Sequence, residues 1–124
     1  MSEELRGVVV CHGGLAQALV DAAESISGVT SVLLPVSNSG CDRDALERRV
    51  SEAVNGRPAV VFVDLASGSC LFAVLKREGV LPEVKVVTGV NLAMLVDFVF
   101  HVSLPAAVAA ERAIAAGIRA IRIP

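Results

Sequence analysis

The chain alternates short apolar runs, rich in β-branched residues, with longer stretches in which apolar residues recur at helical spacing. This alternation is typical of βαβ units. The apolar runs predict four strands, at Arg6–Cys11, Ser31–Val36, Ala59–Val63 and Glu83–Thr88. Because these strands lack a polar face, we expect a parallel sheet that is covered by helices on both sides.

The stretches with helical spacing predict five helices, at Leu15–Ile26, Asp42–Val54, Ser69–Arg77, Leu92–Phe100 and Pro105–Ala116. Gly117 is expected to end the last helix. The partly polar segment Ile118–Ile123 is predicted to be a C-terminal edge strand that pairs antiparallel. The predicted fold class is therefore α/β, an open, mainly parallel sheet of order 2-1-3-4 plus this edge strand. Residues 1–124 are expected to form one domain.

A strand-tip histidine is the main candidate for chemistry. Ligands of open α/β sheets bind beyond the carboxyl ends of the strands, where the strand order reverses. That position lies between the first and third strands, which are followed by His12 and Asp64. An imidazole nucleophile needs one free nitrogen and an acceptor that holds the other as N–H. Asp64 could be that acceptor and could also stabilise the cationic ring.

A phosphoryl group on His12 would carry about two negative charges and would need hydrogen-bond donors. Gly13 stands just before the first helix, and Ser67, Gly68 and Ser69 stand at the start of the third. Helix N-termini present free amides and a positive dipole end to an anion. Each feature also has a structural explanation: a histidine or aspartate can cap or pack, and glycines can form a tight turn.

Other potentially reactive side chains have weaker support. Cys11 neighbours His12 but should point to the opposite face as a buried residue. Cys70 lies at a helix N-terminus, where a thiol can become reactive. Cys41 is expected in a loop without an assignable partner, and His101, which follows a predicted helix, is interpreted as a surface or interface residue. The spacing of two histidines and three cysteines predicts no metal site, and the glycines match no nucleotide-binding motif, so no cofactor is expected.

Composition narrows the classes of function. The net charge is −2, the basic residues are scattered, and the aromatic residues are four Phe without Trp or Tyr. These properties argue against nucleic-acid binding. The polar start MSEELRG does not resemble a signal peptide, and no apolar run reaches the roughly 20 residues of a membrane span. We therefore expect a cytoplasmic protein without direct membrane insertion, with reduced thiols.

Three segments resemble the enzyme IIA component, mannose class, of the bacterial phosphoenolpyruvate-dependent sugar phosphotransferase system. They are VVVCHGGLAQALVDAAESISG, VVFVDLASGSCLFA and VVTGVNLAMLVDFV. The resemblance implies a flavodoxin-like fold in which His12 accepts phosphate from phospho-HPr and passes it to a IIB component. It implies that Asp64 orients His12 and that Ser69 lies near the phosphate. It also implies a homodimer, in some members with an exchanged C-terminal strand, here Ile118–Ile123.

The sequence departs from the family pattern at two places. Gly14 and Leu15 follow His-Gly where a bulky residue is common, and the third loop ends in Cys70 where the family often has proline. Alternative functions are a regulatory phosphocarrier and the related phosphoryl-donor domain of dihydroxyacetone kinase. A non-catalytic flavodoxin-like binding or dimerisation module is the alternative from another class. The segments do not indicate which sugar or pathway is served.

Overall fold

The computed structural model of the chain describes residues 3–124, so Met1 and Ser2 of the polar N-terminal segment lie outside the described residues. Four strands form one sheet: β1 (Arg6–Cys11), β2 (Leu33–Ser37), β3 (Ala59–Val63) and β4 (Val84–Thr88). All neighbours pair in parallel, in the order β2-β1-β3-β4. This order confirms the prediction for the four parallel strands. It places β1 and β3 side by side at the centre.

Helices cover both faces of the sheet. They are α1 (Leu15–Ser27), α2 (Arg43–Val54), α3 (Ser69–Arg77), α4 (Leu92–Phe98) and α5 (Ala106–Arg119), with a short 3₁₀ turn at Glu78–Val80. One core lies between the sheet and α1, α4 and α5, and a second core lies between the sheet and α2 and α3. The central strands are buried on both faces, as their apolar composition requires.

Small and aromatic side chains fill the first core in different ways. The alanines of α5 allow this helix to approach the sheet closely, and four of them are buried: Ala106, Ala109, Ala110 and Ala113. Phe62 of β3 and Phe98 of α4 meet edge to face, with ring centroids 5.2 Å apart. The two cores hold the central strands rigidly, and the carboxyl ends of these strands carry the residues of interest.

Local capping explains several helix ends. Asp42 precedes α2, and its Oδ1 accepts a hydrogen bond from the Ala45 backbone N–H at 2.8 Å. This bond satisfies one of the free amides in the first turn of α2. Gly28 ends α1 in the left-handed conformation, with φ of 73°, as glycine commonly does at helix ends.

The predicted C-terminal edge strand is wrong for the single chain. Helix α5 continues through Gly117 to Arg119, and residues 121–124 have no regular structure. Gly117 is buried because α4 lies against it: a Cβ atom there would stand 2.6 Å from Met94 Cγ. Asn91, which also caps α4, donates from Nδ2 to the Gly117 carbonyl at 3.2 Å. The glycine permits a close approach of two helices and does not end one.

Within residues 3–124, no helix combines the length and the apolar character that a bilayer crossing requires.

Candidate functional site

The carboxyl ends of β1 and β3 bring two distant residues together. His12 directly follows β1 and Asp64 directly follows β3. Nδ1 of His12 lies 2.8 Å from Oδ2 of Asp64, although the two residues are 52 positions apart. The Asp64 side chain is 10% exposed and the His12 side chain is 41% exposed. The aspartate is therefore fixed in the protein, while the imidazole faces solvent.

Asp64 accepts three hydrogen bonds. Oδ2 accepts the backbone N–H of His12 at 2.9 Å as well as its ring Nδ1, and Oδ1 accepts the backbone N–H of Leu65 at 3.0 Å. Burial raises the pKa of Asp64, but the bonds from the His12 backbone and side chain and from Leu65 outweigh it and leave the pKa below its ordinary value. Asp64 is therefore a carboxylate at neutral pH.

The ionised carboxylate determines the tautomer of His12. Because Oδ2 carries no proton, the short contact requires the proton on Nδ1. In the neutral ring Nε2 then holds a free lone pair. The ring contacts of His12 within residues 3–124 all involve Nδ1, and the side chain as a whole is 41% exposed. Such a ring can act as a nucleophile toward an electrophile that arrives from solvent.

The loop that carries His12 is held by two residues that the sequence did not point to, the last residue of β2 and the residue after it. Asn38 Oδ1 accepts the backbone N–H of Gly13 at 3.1 Å, and Ser37 Oγ donates to the Gly13 carbonyl at 2.7 Å. The Gly13 amide is thus already bonded within the protein. Gly13 also has φ of 60°, a conformation that favours glycine. No pattern in the sequence indicates these contacts.

The predicted phosphate-binding loop after β3 lies beside the same site. Ser67, Gly68 and Ser69 are exposed, and Gly68 is the N-cap residue of α3 with φ of 97°. Since glycine offers no capping side chain, the first-turn amides of α3 have no side-chain cap. Gly14 likewise precedes α1 without a side-chain cap. Two uncapped helix N-termini therefore flank His12, and both favour a bound anion.

Cys70 makes a contact that the sequence did not predict. Its Sγ lies 3.8 Å from His12 Nδ1, and the residue is fully buried. Burial, followed by the charge of Asp64, raises the pKa of Cys70 to about 11, and burial raises that of Cys11 to about 12. Neither thiol is a reactive thiolate at neutral pH, and the burial of Cys11 confirms the prediction for that residue.

Distances across the site also revise the argument against a metal site. One potential ligand atom from each of His12, Asp64 and Cys70 lies within 4.8 Å of the others. The spacing rule missed this cluster because its members come from three different segments of the chain. No ion is needed for the hydrogen bonds described above.

His101, the second histidine, lies away from this site. Its Nδ1 is 2.8 Å from the backbone carbonyl of Asp97, close to the end of α4. The neighbouring Val102 carbonyl accepts the N–H of Leu5, just before β1. His101 therefore lies toward the amino ends of the strands. A groove of about 500 Å³ also lies there, lined among others by Leu5, Lys85 and Leu104.

The fold closely matches several known structures. The phosphotransferase system component EIIA from Streptococcus agalactiae superposes with a TM-score of 0.87 at 18% identity, covering 96% of each chain. The mannose/sorbose specific IIA subunit from Enterococcus faecalis gives 0.85 at 17% identity, covering 98% of this chain and 96% of that one. At these identities the likeness shows the fold. No curated protein matches the chain.

A third structure has a somewhat higher identity. The PTS IIA protein associated with the fucose utilization operon from Streptococcus pneumoniae gives a TM-score of 0.77 at 23% identity, covering 99% of this chain and 96% of that one. A family model described as PTS system fructose IIA component matches residues 7–115, which includes the whole site. The chain therefore belongs to the IIA family of fructose and mannose type, the phosphoryl-transfer components of the sugar phosphotransferase system.

Proposed function

We propose that His12 is the phosphoryl carrier of this IIA protein, accepting phosphate from phospho-HPr on Nε2 and passing it to a IIB component. The 2.8 Å contact between Nδ1 and Asp64 carries this proposal, because it leaves the opposite ring nitrogen free and exposed. Asp64 is the orienting group. The cytoplasmic location expected from the sequence is part of the proposal, since HPr is the donor.

The transfer step follows from the tautomer. The Nε2 lone pair of His12 attacks the phosphorus of phosphohistidine on HPr, and the old P–N bond breaks with its electron pair returning to the donor ring. The proton on Nδ1 stays in place, so the phosphorylated ring carries a positive charge. Asp64 Oδ2 faces this charge at hydrogen-bond distance and stabilises it. Transfer to IIB is a second displacement of the same kind, in which a IIB side chain attacks phosphorus and the P–N bond to His12 breaks, with its electron pair returning to Nε2.

The start of α3 is the proposed binding site of the phosphoryl group. The first-turn amides after Gly68 have no side-chain cap, and the hydroxyls of Ser67 and Ser69 are exposed beside them. The α3 dipole adds attraction for the anion. Gly13 belongs to this site through its backbone conformation, since its amide is bonded to Asn38.

The surroundings of His12 support docking of protein partners. Leu15, Leu65 and Phe72 are exposed apolar side chains on the elements that carry the site. Exposed apolar surface at a functional site is typical of protein–protein contacts. HPr and a IIB component would each bury this surface in turn, since both must reach the same nitrogen.

Phosphorylation in a reconstituted system tests the proposal. The chain is incubated with phosphoenolpyruvate, enzyme I and HPr and is then analysed by intact mass. We expect one added phosphate that is labile in acid, as a phosphoramidate should be. We also expect this phosphate to move to a mannose-class IIB component when that is added.

The two histidines provide a matched control. His12→Ala should take up no phosphate, while His101→Ala should be labelled at the rate of the unmodified chain, because the two residues lie near opposite ends of the sheet. Labelling of His12→Ala to the usual extent would contradict the proposal.

A homodimer is the second part of the proposal. β4 is an edge strand of the sheet, with its outer side unpaired in the single chain. Beyond α5 the chain leaves Ile121 and Ile123 exposed by 74% and 98%. An edge strand and exposed apolar side chains both favour association. We expect these isoleucines to be buried against a second copy of the chain.

Light scattering tests this arrangement. The unmodified chain should have twice the mass of one chain, and the double variant Ile121→Asp, Ile123→Asp should have the mass of one. Ile26→Asp changes another exposed isoleucine, at the end of α1, and should remain dimeric. A single-chain mass for the unmodified protein, or a dimeric double variant, would contradict the arrangement.

A further inference from the structure

We propose that His12, Asp64 and Cys70 form a binding site for a thiophilic divalent cation such as Zn²⁺, and that the bound ion blocks phosphorylation of His12. The site would use Nδ1 of His12, one carboxylate oxygen of Asp64 and Sγ of Cys70. The second half of this inference rests on the proposed role of His12 as phosphoryl carrier. The first half stands on geometry alone.

Two of the three ligand separations lie close to those of a tetrahedral ion. Bonds of about 2.0 Å to nitrogen and oxygen and about 2.3 Å to sulfur place N and S about 3.6 Å apart and N and O about 3.3 Å apart. The observed separations are 3.8 Å from Sγ to Nδ1 and 2.8 Å from Nδ1 to Oδ2. The third separation is no more than 4.8 Å. An ion must widen the Nδ1–Oδ2 contact by about 0.5 Å and hold the carboxylate oxygen and Sγ about 3.6 Å apart.

Burial and charge support the same assignment. Cys70 is fully buried and the Asp64 side chain is 10% exposed, so both ligands are held in place. A site with three protein ligands takes a water as its fourth ligand. The thiol of Cys70 is protonated at neutral pH without a metal, and a coordinated ion would deprotonate it. One carboxylate and one thiolate would then neutralise a divalent cation. A neutral cluster avoids the cost of an unpaired charge in a partly buried site.

The ligand set selects the type of ion. Imidazole and thiolate are ligands of Zn²⁺ and Co²⁺, whereas Mg²⁺ and Ca²⁺ prefer oxygen ligands throughout. The cluster contains only one carboxylate, so Mg²⁺ should bind poorly. Selectivity between Zn²⁺ and Mg²⁺ is therefore part of the inference.

The bound ion changes the tautomer of His12. The thiol proton of Cys70 leaves to the buffer, and the proton of Nδ1 is displaced because the ion takes that lone pair. The neutral ring must then carry its proton on Nε2. Nε2 loses the lone pair that attacks phosphorus, and Asp64 no longer accepts the Nδ1 proton. Metal binding and phosphorylation thus exclude each other, and each weakens the other by the same factor.

Cobalt binding to the unphosphorylated chain tests the site without any transfer reaction. We expect one Co²⁺ per chain, with a thiolate-to-cobalt charge-transfer band in the near ultraviolet that Zn²⁺ removes by competition. Cys70→Ala should lose the band and bind Zn²⁺ more than about 100-fold more weakly, since even ligands beyond the first shell contribute 10–100-fold. His12→Ala should weaken binding similarly. Cys41→Ala, which removes another thiol, should bind as the unmodified chain does.

Inhibition of phosphorylation tests the second half. With Zn²⁺ at about 100 times its dissociation constant, only about 1% of the sites stay free, so labelling of the unmodified chain should slow about 100-fold. Cys70→Ala, which binds Zn²⁺ more than about 100-fold more weakly, should slow by no more than about twofold under the same conditions. Mg²⁺ at the same concentration should have no effect on either protein.

The outcomes separate the two proposals. An absent cobalt band, or a band that survives in both Cys70→Ala and Cys70→Ser, would overturn the metal site. Equal inhibition of the unmodified chain and Cys70→Ala would overturn the link to His12. If cobalt binds as expected but His12 takes up no phosphate under any condition, the proposed phosphoryl carrier fails while the metal site stands.

Discussion

Two histidine–aspartate pairs lie near opposite ends of the same sheet. In the first, Nδ1 of His12 lies 2.8 Å from the Asp64 carboxylate, and the two side chains are 41% and 10% exposed. In the second, Nδ1 of His101 is 3.4 Å from Asp97 Oδ2, and the side chains are 26% and 19% exposed. The second pair comes from one helical turn, whereas the first joins two strands that are distant in sequence.

The two imidazoles differ mainly in the atom that lies at hydrogen-bond distance from Nδ1. Nδ1 of His101 is bonded to the backbone carbonyl of Asp97, and the buried Oδ2 of Asp97 has no hydrogen-bond partner within residues 3–124. Asp64, in contrast, accepts three hydrogen bonds and holds the tautomer of His12 with its charge. A histidine next to an aspartate is therefore not enough. The nucleophile also needs an ionised acceptor, an exposed second nitrogen and nearby helix N-termini.

Removing the charge of each aspartate in turn should give the largest difference in the rate of phosphoryl transfer. In Asp64→Asn the amide can donate to the ring, which permits the wrong tautomer, and we expect phosphoryl transfer to slow by about 100-fold or more. Asp97→Asn should leave the rate unchanged, because Asp97 faces His101, near the opposite end of the sheet from His12. Rapid-quench experiments with phospho-HPr measure the rate of phosphoryl transfer to each variant. Equal rates for the two variants would remove the distinction between the pairs.

A smaller effect on the transfer rate is expected when the support of the loop that carries His12 is removed. Asn38→Ala removes the acceptor of the Gly13 amide, a hydrogen bond worth about 1 kcal/mol, so transfer should slow about fivefold. Ser39→Ala alters the next side chain and should leave the rate unchanged. The His101 pair has no equivalent support from β2. An unchanged rate in Asn38→Ala would show that β2 does not position the nucleophile.

The smallest expected effect is on acid stability. The pKa of Asp64 lies below its ordinary value of 3.8, so the folded chain binds fewer protons than the unfolded chain in that range. Asp64 thus stabilises the fold above pH 3.8, and this contribution disappears as the pH falls through its lower folded pKa. We expect the urea-unfolding free energies of the unmodified chain and Asp64→Asn to converge with decreasing pH. Parallel curves would contradict this linkage.

The sequence predicted most of the fold because its elements are strongly patterned. The doubly buried strands β1 and β3 read as apolar runs, and the order of the four parallel strands followed from βαβ logic. The prediction of a C-terminal strand was wrong because of Gly117. Glycine commonly ends helices, but here it makes room for Met94, and that contact depends on how α4 and α5 pack.

The part of the site at the carboxyl ends of the strands could be predicted from the sequence. His12 and Asp64 follow adjacent parallel strands, so topology alone places them together. The contact of Cys70 with His12 depends on the rotation of α3, and the bond from Asn38 to Gly13 depends on a loop conformation. Neither has a periodic signal in the sequence. These two contacts determine how the imidazole is held and which ions could compete for it.

The position of the phosphoryl group tests the central claim most directly. The chain, labelled with ¹⁵N-histidine and phosphorylated by phospho-HPr, is studied by nuclear magnetic resonance that detects phosphorus–nitrogen coupling. We predict coupling to Nε2 of a single histidine, absent in His12→Ala, with the proton of that ring retained on Nδ1. Coupling to Nδ1 of His12, or to either nitrogen of His101, would contradict the account.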